Sequence, residues 1–586
     1  MFSTTVRKLF LVIFMTAFVM ACSDDDNPVT DLPDPELNIV ETADEAGNFT
    51  ILLSVATDLG LAETLANEEL TVFAPTDEAF NALPDGVLDQ LTDEQLATIL
   101  TYHILEGQVL ANQIQQPQQD AETLQGERLL LQRSGASVTI NGSSDVISAD
   151  ITASNGVIHA IDEVLLPSEI RAALGLVNII DIAENADGFE IVLDAIEQAG
   201  LTTTLQFLGP FTVFPPNDEA FQNFGLENVA ALTQQQLQDV LTYHVIQGAA
   251  IRSTELAPEQ AVPSLQGDEL FITAENGTVT INNSSTVFLA DVEATNGVIH
   301  AVDTVLLPDA FGTVAANVQK RFSFSALLDA VVAADLVEPL ADPDATLTVF
   351  APDNDAFAGV PEEFLNSLST EELGEILAYH VFAQAAVFST DLAAEQAVEA
   401  LNGENLYITA SAEGVFVNGS VQVTLPDIAS SNGVIHTLDG VLLPNQFVNV
   451  VDIALKNFSL SRVVDLVVQS DLVDALSDAN ANLTVFAPTN EAFDAISDAL
   501  SELTPEQVTN VLLYHVLGDR FLSTDLGASQ EVTTLNEEDV LIEVVEGSVI
   551  INGSAAVTLA DQNGTNGVIH VINEVLLPPS LTGGAE

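Results

Sequence analysis

The stretch Asn155-Gly156-Val157-Ile158-His159 occurs four times in this chain of 586 residues. The remaining histidines each follow a tyrosine, and the first such pair is Tyr102-His103. The two histidines of a copy are 56 residues apart three times (159 − 103, 300 − 244, 436 − 380) and 55 once (570 − 515). Successive copies are offset by 141, 136 and 135 residues at the first histidine (244 − 103, 380 − 244, 515 − 380). A repeat of that length has the size of an independent domain and exceeds that of solenoid repeats, so the chain is predicted to be four copies of one domain. The repeated residues are Tyr102, His103 and His159; Tyr243, His244 and His300; Tyr379, His380 and His436; Tyr514, His515 and His570.

Each copy begins with helical signals. Apolar residues at Phe49, Leu52 and Ala56 share one helix face, and a short buried strand follows at 71–75. Thr92, with a glutamine three residues later, is a capping-box pattern that predicts a helix running into Tyr-His. The helices are therefore expected to precede most of the strands.

After Tyr-His the pattern alternates, as in β-strands. Asn141-Gly142 predicts a two-residue hairpin turn, and Asn155-Gly156 predicts a second turn that leads into a strand ending at Pro167. Helices followed by strands in one unit predict an α+β fold with a mainly antiparallel sheet.

The segments TVFAPTDEAF (71–80), Tyr-His and NGVIHAIDEVLLP (155–167), in this order, resemble the fasciclin-like domain family. The resemblance implies a β-wedge or sandwich with helices packed along one edge, and a role in adhesion. Pro215 and Asn573 depart from the pattern, since the other copies have alanine and aspartate there. The expected boundaries are 37–168, 174–309, 312–445 and 446–580.

The resemblance also implies an adhesion site at an aspartate-aliphatic pair before the Asn-Gly turn. The candidates are Asp150 with Ile151, Asp291 with Val292, and Asp427 with Ile428. The fourth copy departs, with Asp561-Gln562. An aspartate at such a place also fits a solvated turn residue, and the tyrosines of Tyr-His, a second implied adhesion motif, also fit the end of a core helix.

The eight histidines are interpreted as interior groups whose ring nitrogens bond backbone or hydroxyl partners. A metal site needs three or four converging ligands, whereas each copy has two histidines and no His-x-x-x-His spacing. No Gly-x-Ser-x-Gly segment occurs. We therefore expect no cofactor, no metal and no catalysis.

The chain is strongly acidic, with 11 Lys+Arg against 87 Asp+Glu and a formal net charge of −76. Such a surface repels nucleic acid, which is excluded as a partner. Residues 1–21 are interpreted as a targeting segment, because Arg7 and Lys8 precede an apolar run that ends directly before Cys22, the one cysteine of the chain. The stretch Phe18-Val19-Met20-Ala21-Cys22 resembles a bacterial lipobox, which implies a lipoprotein signal peptide. Cys22 is the expected lipidation site, and 22–36 is expected to be an acidic, proline-containing tether. An outer-membrane lipoprotein on the cell surface is the predicted localisation, with a secreted protein as the alternative.

Four similar domains suit binding through many weak contacts, because linked sites raise each other's effective concentration. The predicted function is non-catalytic adhesion to extracellular matrix, neighbouring cells or glycans. The resemblance to the fasciclin-like family alone implies partners similar to integrins or collagen. A polysaccharide-handling accessory protein and a structural surface spacer remain the alternatives.

Overall fold

The computed structural model describes residues 37–83 and 87–582. The predicted signal peptide, Cys22 and the tether lie outside the described residues. Within that range, no helix is both long and apolar enough to span a membrane. The chain divides into two compact units, Met1–Ile170 and Arg171–Glu586, of which the first contains one domain and the second contains three.

Each domain contains one seven-stranded sheet, whose strands we number β1 to β7 in chain order within the domain. The order across the sheet is β2-β1-β7-β6-β5-β4-β3 in all four domains. The β1–β7 pair is parallel and the other pairs are antiparallel, which confirms the predicted α+β fold. The strands are, in domain 1, Leu70–Pro75, Ile104–Glu106, Gln118–Glu122, Arg128–Ser134, Ser137–Ile140, Ser144–Ala153 and Gly156–Ile161; in domain 2, Phe211–Val213, Val245–Gln247, Glu259–Pro263, Glu269–Glu275, Thr278–Ile281, Ser285–Ala294 and Gly297–Val302; in domain 3, Leu347–Pro352, Val381–Phe382, Glu395–Glu399, Asn405–Ser411, Gly414–Val417, Val421–Ser430 and Gly433–Leu438; and in domain 4, Leu483–Pro488, Val516–Leu517, Ser529–Thr533, Asp539–Val545, Ser548–Ile551, Ala555–Gly564 and Gly567–Ile572.

Six helices, α1 to α6, recur in each domain. They are, in domain 1, Ile39–Ala46, Thr50–Asp58, Ala62–Asn67, Asp77–Asn81, Val87–Gln90 and Asp93–Tyr102; in domain 2, Ile179–Glu184, Glu190–Ala199, Thr202–Phe207, Asp218–Phe224, Leu226–Ala231 and Gln234–Tyr243; in domain 3, Val314–Lys320, Ser325–Ala333, Val337–Ala341, Asn354–Ala358, Glu362–Ser367 and Thr370–Tyr379; and in domain 4, Val450–Lys456, Ser461–Gln469, Val473–Leu476, Asn490–Ala495, Ser497–Ser501 and Pro505–Tyr514. Two further helices are Ser168–Ala173 and Pro579–Thr582. The predicted capping box opens α6, where Thr92 accepts from the backbone N–H of Gln95 and the Gln95 side chain accepts from Thr92 N–H.

Short 3₁₀ helices complete the domains. One follows β2 in every domain, at Ala111–Gln113, Ser253–Glu255, Ser389–Asp391 and Ser523–Asp525. Others lie where one domain leads into the next and before α2, at Asp309–Phe311, Phe322–Phe324, Asn445–Phe447 and Phe458–Leu460.

Two apolar clusters fill each of domains 2 to 4. In domain 4, the first joins α1, α2 and α6 to β1 and β7 and includes Leu460 and Ile569. The second lies under the antiparallel strands and includes Tyr514 and Ile551. The helices therefore pack at one end of the sheet, as predicted, and β1 and β7 separate the two clusters.

Three local predictions were wrong in detail. The first hairpin has three loop residues, because Ile140 pairs with Ser144, and not the two that were predicted. The second turn consists of residues 154–155, since Ala153 pairs with Gly156 and the glycine already belongs to β7. That strand ends at Ile161, before the predicted end at Pro167.

Candidate functional site

The four histidines that follow a tyrosine are interior groups. The His103 ring is 1% exposed, its Nδ1 lies 2.8 Å from the carbonyl oxygen of Ile99, and its Nε2 accepts from the backbone N–H of Leu165 at 2.9 Å. Because the Leu165 N–H is a donor, Nε2 carries no proton and the ring is neutral. Burial lowers the pKa of His103 to about 4. His244, His380 and His515 repeat both contacts and have pKa values lowered to about 4.

The tyrosines beside them are buried as well. Tyr243 is 0% exposed, and its hydroxyl donates to the carbonyl of Glu269 and accepts from the Asn282 side chain. The same two bonds recur at Tyr102, Tyr379 and Tyr514. Each hydroxyl thus fixes the hairpin loop that begins at the asparagine with which it forms a hydrogen bond, and each ring is buried.

The histidines of β7 link the centre of the sheet to the segment after β2. His159 is 1% exposed, its Nε2 donates to the carbonyl of Val109, and its Nδ1 accepts from the backbone N–H of Asp150 at 3.2 Å. Its ring stacks on Phe73 with centroids 5.4 Å apart. His300, His436 and His570 make the same contacts. Burial lowers the pKa of His159, His436 and His570.

These rings do not converge on a common point. Over residues 37–83 and 87–582, no group of three or more His, Cys, Asp or Glu side chains could hold a metal ion. Both nitrogens of each imidazole are engaged by the backbone, so the chemistry available to them is that of interior hydrogen-bonding groups.

The candidate adhesion aspartates, and Asp561 at the equivalent place in domain 4, lie on β6 in a left-handed backbone conformation. Asp150, Asp291, Asp427 and Asp561 have φ values of 56°, 60°, 66° and 58°. The register of β6 against β7 shifts at this place in every domain. The Asp291 carboxylate accepts from the backbone N–H and the hydroxyl of Ser253, and these bonds lower its pKa. The aspartate therefore holds the 3₁₀ helix after β2 against the bulged strand, while Asp150 and Asp291 remain exposed.

The aliphatic partners of these aspartates differ in exposure. Ile151 and Val292 are half-buried, whereas Ile428 is 6% exposed and belongs to the core of domain 3. Gln562 replaces the aliphatic residue in domain 4.

Sequence reasoning missed a group of exposed apolar residues on the same strand. Ile147, Phe288, Leu289 and Leu425 are 57%, 52%, 46% and 53% exposed. Each lies two or three positions before the bulge aspartate of its domain. Simple alternation could not reveal them, because β6 contains two register shifts against β7 and the inward face changes at each shift. We call these four residues with Asp150, Asp291 and Asp427 the bulge surface.

The asparagine and glycine of the NGVIH stretch also have roles that the sequence did not show. Asn155 accepts from the backbone N–H of Ile39 and donates to the carbonyls of Leu65 and Glu68, so it joins α1 and α3 to the sheet. A Cβ at Gly156 would lie 1.9 Å from the carbonyl oxygen of Leu70 on the parallel strand. The signal in both cases was their fourfold recurrence, while their partners are nonlocal.

Comparison with known proteins follows the same division of the chain. The model of the Fasciclin domain matches residues 47–167, 187–308, 322–444 and 458–578. Transforming growth factor-beta-induced protein ig-h3 of Sus scrofa is 28% identical over 93% of this chain and 78% of its own length. Periostin of Homo sapiens is 28% identical over 72% of this chain and 48% of its own length. A solved FAS1 domain pair from the insect cell adhesion molecule fasciclin I is 20% identical, covers 44% of this chain and 98% of that chain, and has a TM-score of 0.35. With four matched domains that account for most of its length, the chain belongs to the fasciclin-domain family.

Proposed function

We propose that this protein is a non-catalytic adhesion protein that binds extracellular matrix or cell-surface proteins through the bulge surfaces of domains 1 to 3. The observation that carries the proposal is that domains 1 to 3 each expose one or two large apolar side chains on β6, two or three positions before the bulge aspartate. Exposed apolar groups beside polar ones are typical of protein-binding surfaces.

The geometry of the strand supports this assignment. The bulge turns Ile147 and Phe288 outward, and the adjoining aspartate is held in place by its bonds to the segment after β2. A contact surface that is rigid before binding loses less conformational entropy when it binds. In domain 4 the corresponding Leu559 packs against the core, so this domain is expected to contribute least.

Repetition would compensate for the small size of each surface. One or two apolar side chains give weak binding, whereas several linked sites reach higher avidity on a partner that is itself repeated or immobilised. The formal net charge of −76 further favours partners with basic patches, and added salt should lower the rate of association with them.

We also propose that Cys22 carries a lipid that anchors the protein at the outer face of the outer membrane. Loss of palmitate labelling in a Cys22→Ser variant would support the anchor, and unchanged labelling would reject it.

The adhesion proposal is tested with an array of matrix proteins, cell-surface proteins and polysaccharides, probed with the chain from residue 23 onward. Ile147→Ser, Phe288→Ser with Leu289→Ser, and Leu425→Ser should each reduce binding, and all together should abolish it. Val332→Ser and Val468→Ser are matched controls, because both residues are 59% exposed and lie on α2. Equal losses in the controls would contradict the bulge surface as the binding site. Binding to polysaccharides alone would replace the proposed class of partner.

A further inference from the structure

Two lysines occupy equivalent places where domain 2 leads into domain 3 and where domain 3 leads into domain 4. The chain has three lysines, and those in the described part, Lys320 and Lys456, are 5% and 8% exposed. Each is the last residue of α1 in its domain. We call them the junction lysines. Lysine is rarely buried unless its ammonium group has partners, so two such residues in an acidic chain call for a specific role.

Each junction lysine reaches into the preceding domain. Lys320 Nζ lies 5.4 Å from the ring centroid of Tyr243, pairs with the carboxylate of Asp309 and donates to the carbonyl of Leu307 at 3.5 Å. Lys456 Nζ lies 5.3 Å from the ring centroid of Tyr379. The ammonium groups thus contact the tyrosines of the Tyr-His pairs, which fix the hairpin loops of domains 2 and 3.

At the second junction, the ammonium group of Lys456 donates to neutral acceptors, where Lys320 has an ion pair. Lys456 Nζ donates to the carbonyl of Leu443 at 2.6 Å and to the side-chain oxygen of Asn445 at 3.0 Å. Asn445 occupies the place that Asp309 has in the first junction, at the start of the equivalent 3₁₀ helix. The geometry is therefore retained although the direct ion pair is not.

Aromatic contacts accompany both lysines. Phe322 packs edge-to-face on Phe271, with ring centroids 5.6 Å apart, and Phe458 packs in the same way on Tyr407 at 5.7 Å. The first junction adds Arg321, whose guanidinium group lies over Phe271 and pairs with Asp309. Such edge-to-face pairs restrict the angle at which two surfaces can meet.

The hairpin loops complete the contacts by backbone approach. Asn283 of domain 2 donates to the carbonyl of Gln319 on α1 of domain 3 at 3.0 Å. In the second junction a Cβ at Gly419 would lie 2.6 Å from the carbonyl oxygen of Leu455. Each junction is therefore packed closely, with α1 of one domain against the first hairpin of the domain before it.

We infer that the junction lysines lock domains 2, 3 and 4 into one body with a single fixed angle at each junction. Their contribution is geometric, because a buried ammonium group is satisfied only where ring face and acceptors converge. Burial lowers the pKa of both lysines, against the effect of Asp309 and Asp268 at Lys320 and of Glu404 and Asp452 at Lys456. Burying the ammonium groups costs free energy, and a packed arrangement at another angle would bury them without these partners, so they select one arrangement more than they strengthen it.

Domain 2 itself lacks such a lysine at the end of α1. Glu184 ends this helix, and the next residue, Asn185, donates from its side chain to the carbonyl of Asp181 within the same segment. The junction lysines thus occur only in domains 3 and 4, which each follow another domain inside the unit Arg171–Glu586.

The test measures distances between spin labels across each junction by pulsed electron paramagnetic resonance. Because Cys22 is the one cysteine of the chain, a Cys22→Ser background accepts labels at chosen sites. The exposed residues Glu275 and Ser411 report on the junction of domains 2 and 3, and Ser411 and Ser548 report on that of domains 3 and 4. The parent protein should give one narrow distance for each pair.

Lys320→Ala and Lys456→Ala should each broaden the distance distribution of their own junction and leave the other narrow. Lys456→Met, which keeps an apolar stem, covers the case in which the alanine variant fails to fold, and far-ultraviolet circular dichroism checks the fold of every variant. Arg462→Ala is the control, since Arg462 forms a salt bridge with Asp494 within domain 4 and both side chains are exposed. Broad distances in the parent protein, or narrow ones in folded lysine variants, would overturn the inference.

Discussion

Acidification to pH 4 should destabilise each domain by roughly 3 kcal/mol through the histidine that follows its tyrosine. In the folded protein, Nδ1–H of His515 donates to the carbonyl of Val511, and Nε2 accepts from the N–H of Leu576. A second proton on the ring would place two N–H donors against each other in a site that is 3% exposed. Folding therefore favours the neutral ring.

The magnitude follows from the lowered pKa. Burial takes the pKa of His515 from 6.5 to about 4, and each pKa unit corresponds to about 1.4 kcal/mol. The unfolded chain binds more protons than the folded chain between these two values, so stability rises with pH across that window. The stabilisation is fully present above pH 6.5 and is lost as the pH falls to 4.

Histidine-selective NMR would follow the ring resonances while the pH is lowered, and urea unfolding read from the same resonances would report each domain separately. Measurements in 1 M salt, where the screening length is about 3 Å, suppress the opposite effect of neutralising the acidic surface. Titration of these rings near pH 6.5, or a free energy of unfolding that stays constant between pH 6.5 and 4.5, would refute the reasoning.

Two further predictions concern glycine and lysine. Gly433→Ala should destabilise domain 3 by at least about 2 kcal/mol in urea unfolding, because the new Cβ would lie 2.2 Å from the Leu347 carbonyl oxygen. Gly374→Ala, on a helix with open space, should stabilise the same domain by about 1 kcal/mol, and equal effects would contradict the steric argument. Burial lowers the pKa of Lys456 to about 8, so the folded protein loses this proton at a lower pH than the unfolded chain, and its stability rises with pH. Between pH 7.5 and 9.5, the free energy of unfolding measured by calorimetry should therefore rise by roughly 2 kcal/mol more in the parent protein than in Lys456→Met. A smaller rise in the parent protein than in the variant would contradict this prediction.

Local signals in the sequence predicted most of the architecture. The spacing of Tyr-His and NGVIH predicted four domains, and caps such as Thr92 predicted where helices begin. These features depend on residues a few positions apart, so their physical basis is contained in the sequence itself. The order of helices and strands then predicted the fold class.

Nonlocal contacts account for what the sequence did not reveal. Gly156 was interpreted as a turn residue because Asn-Gly is a strong local turn signal, yet it is needed where β7 passes the backbone of Leu70. Ile147 and Phe288 became recognisable as exposed only when the two register shifts of β6 were known. The sequence placed the aspartate-aliphatic pairs before the Asn-Gly turn and did not show the bulge of β6 on which they lie, and the burial of Ile428 depends on how domain 3 packs.

The junction lysines and the bulge surfaces connect architecture to the proposed adhesion. Avidity depends on whether linked sites can engage a partner at the same time, and a fixed angle between domains restricts the spacings that they can match. With a rigid body, the surfaces of domains 2 and 3 would favour partners whose own sites are regularly spaced, and they would lose little orientational entropy on binding. A Lys320→Ala variant should therefore bind a regularly spaced partner less tightly than the parent protein, although Lys320 is buried and lies outside the bulge surface. That result would distinguish the effect of the angle between domains on binding from the effect of the contacting side chains.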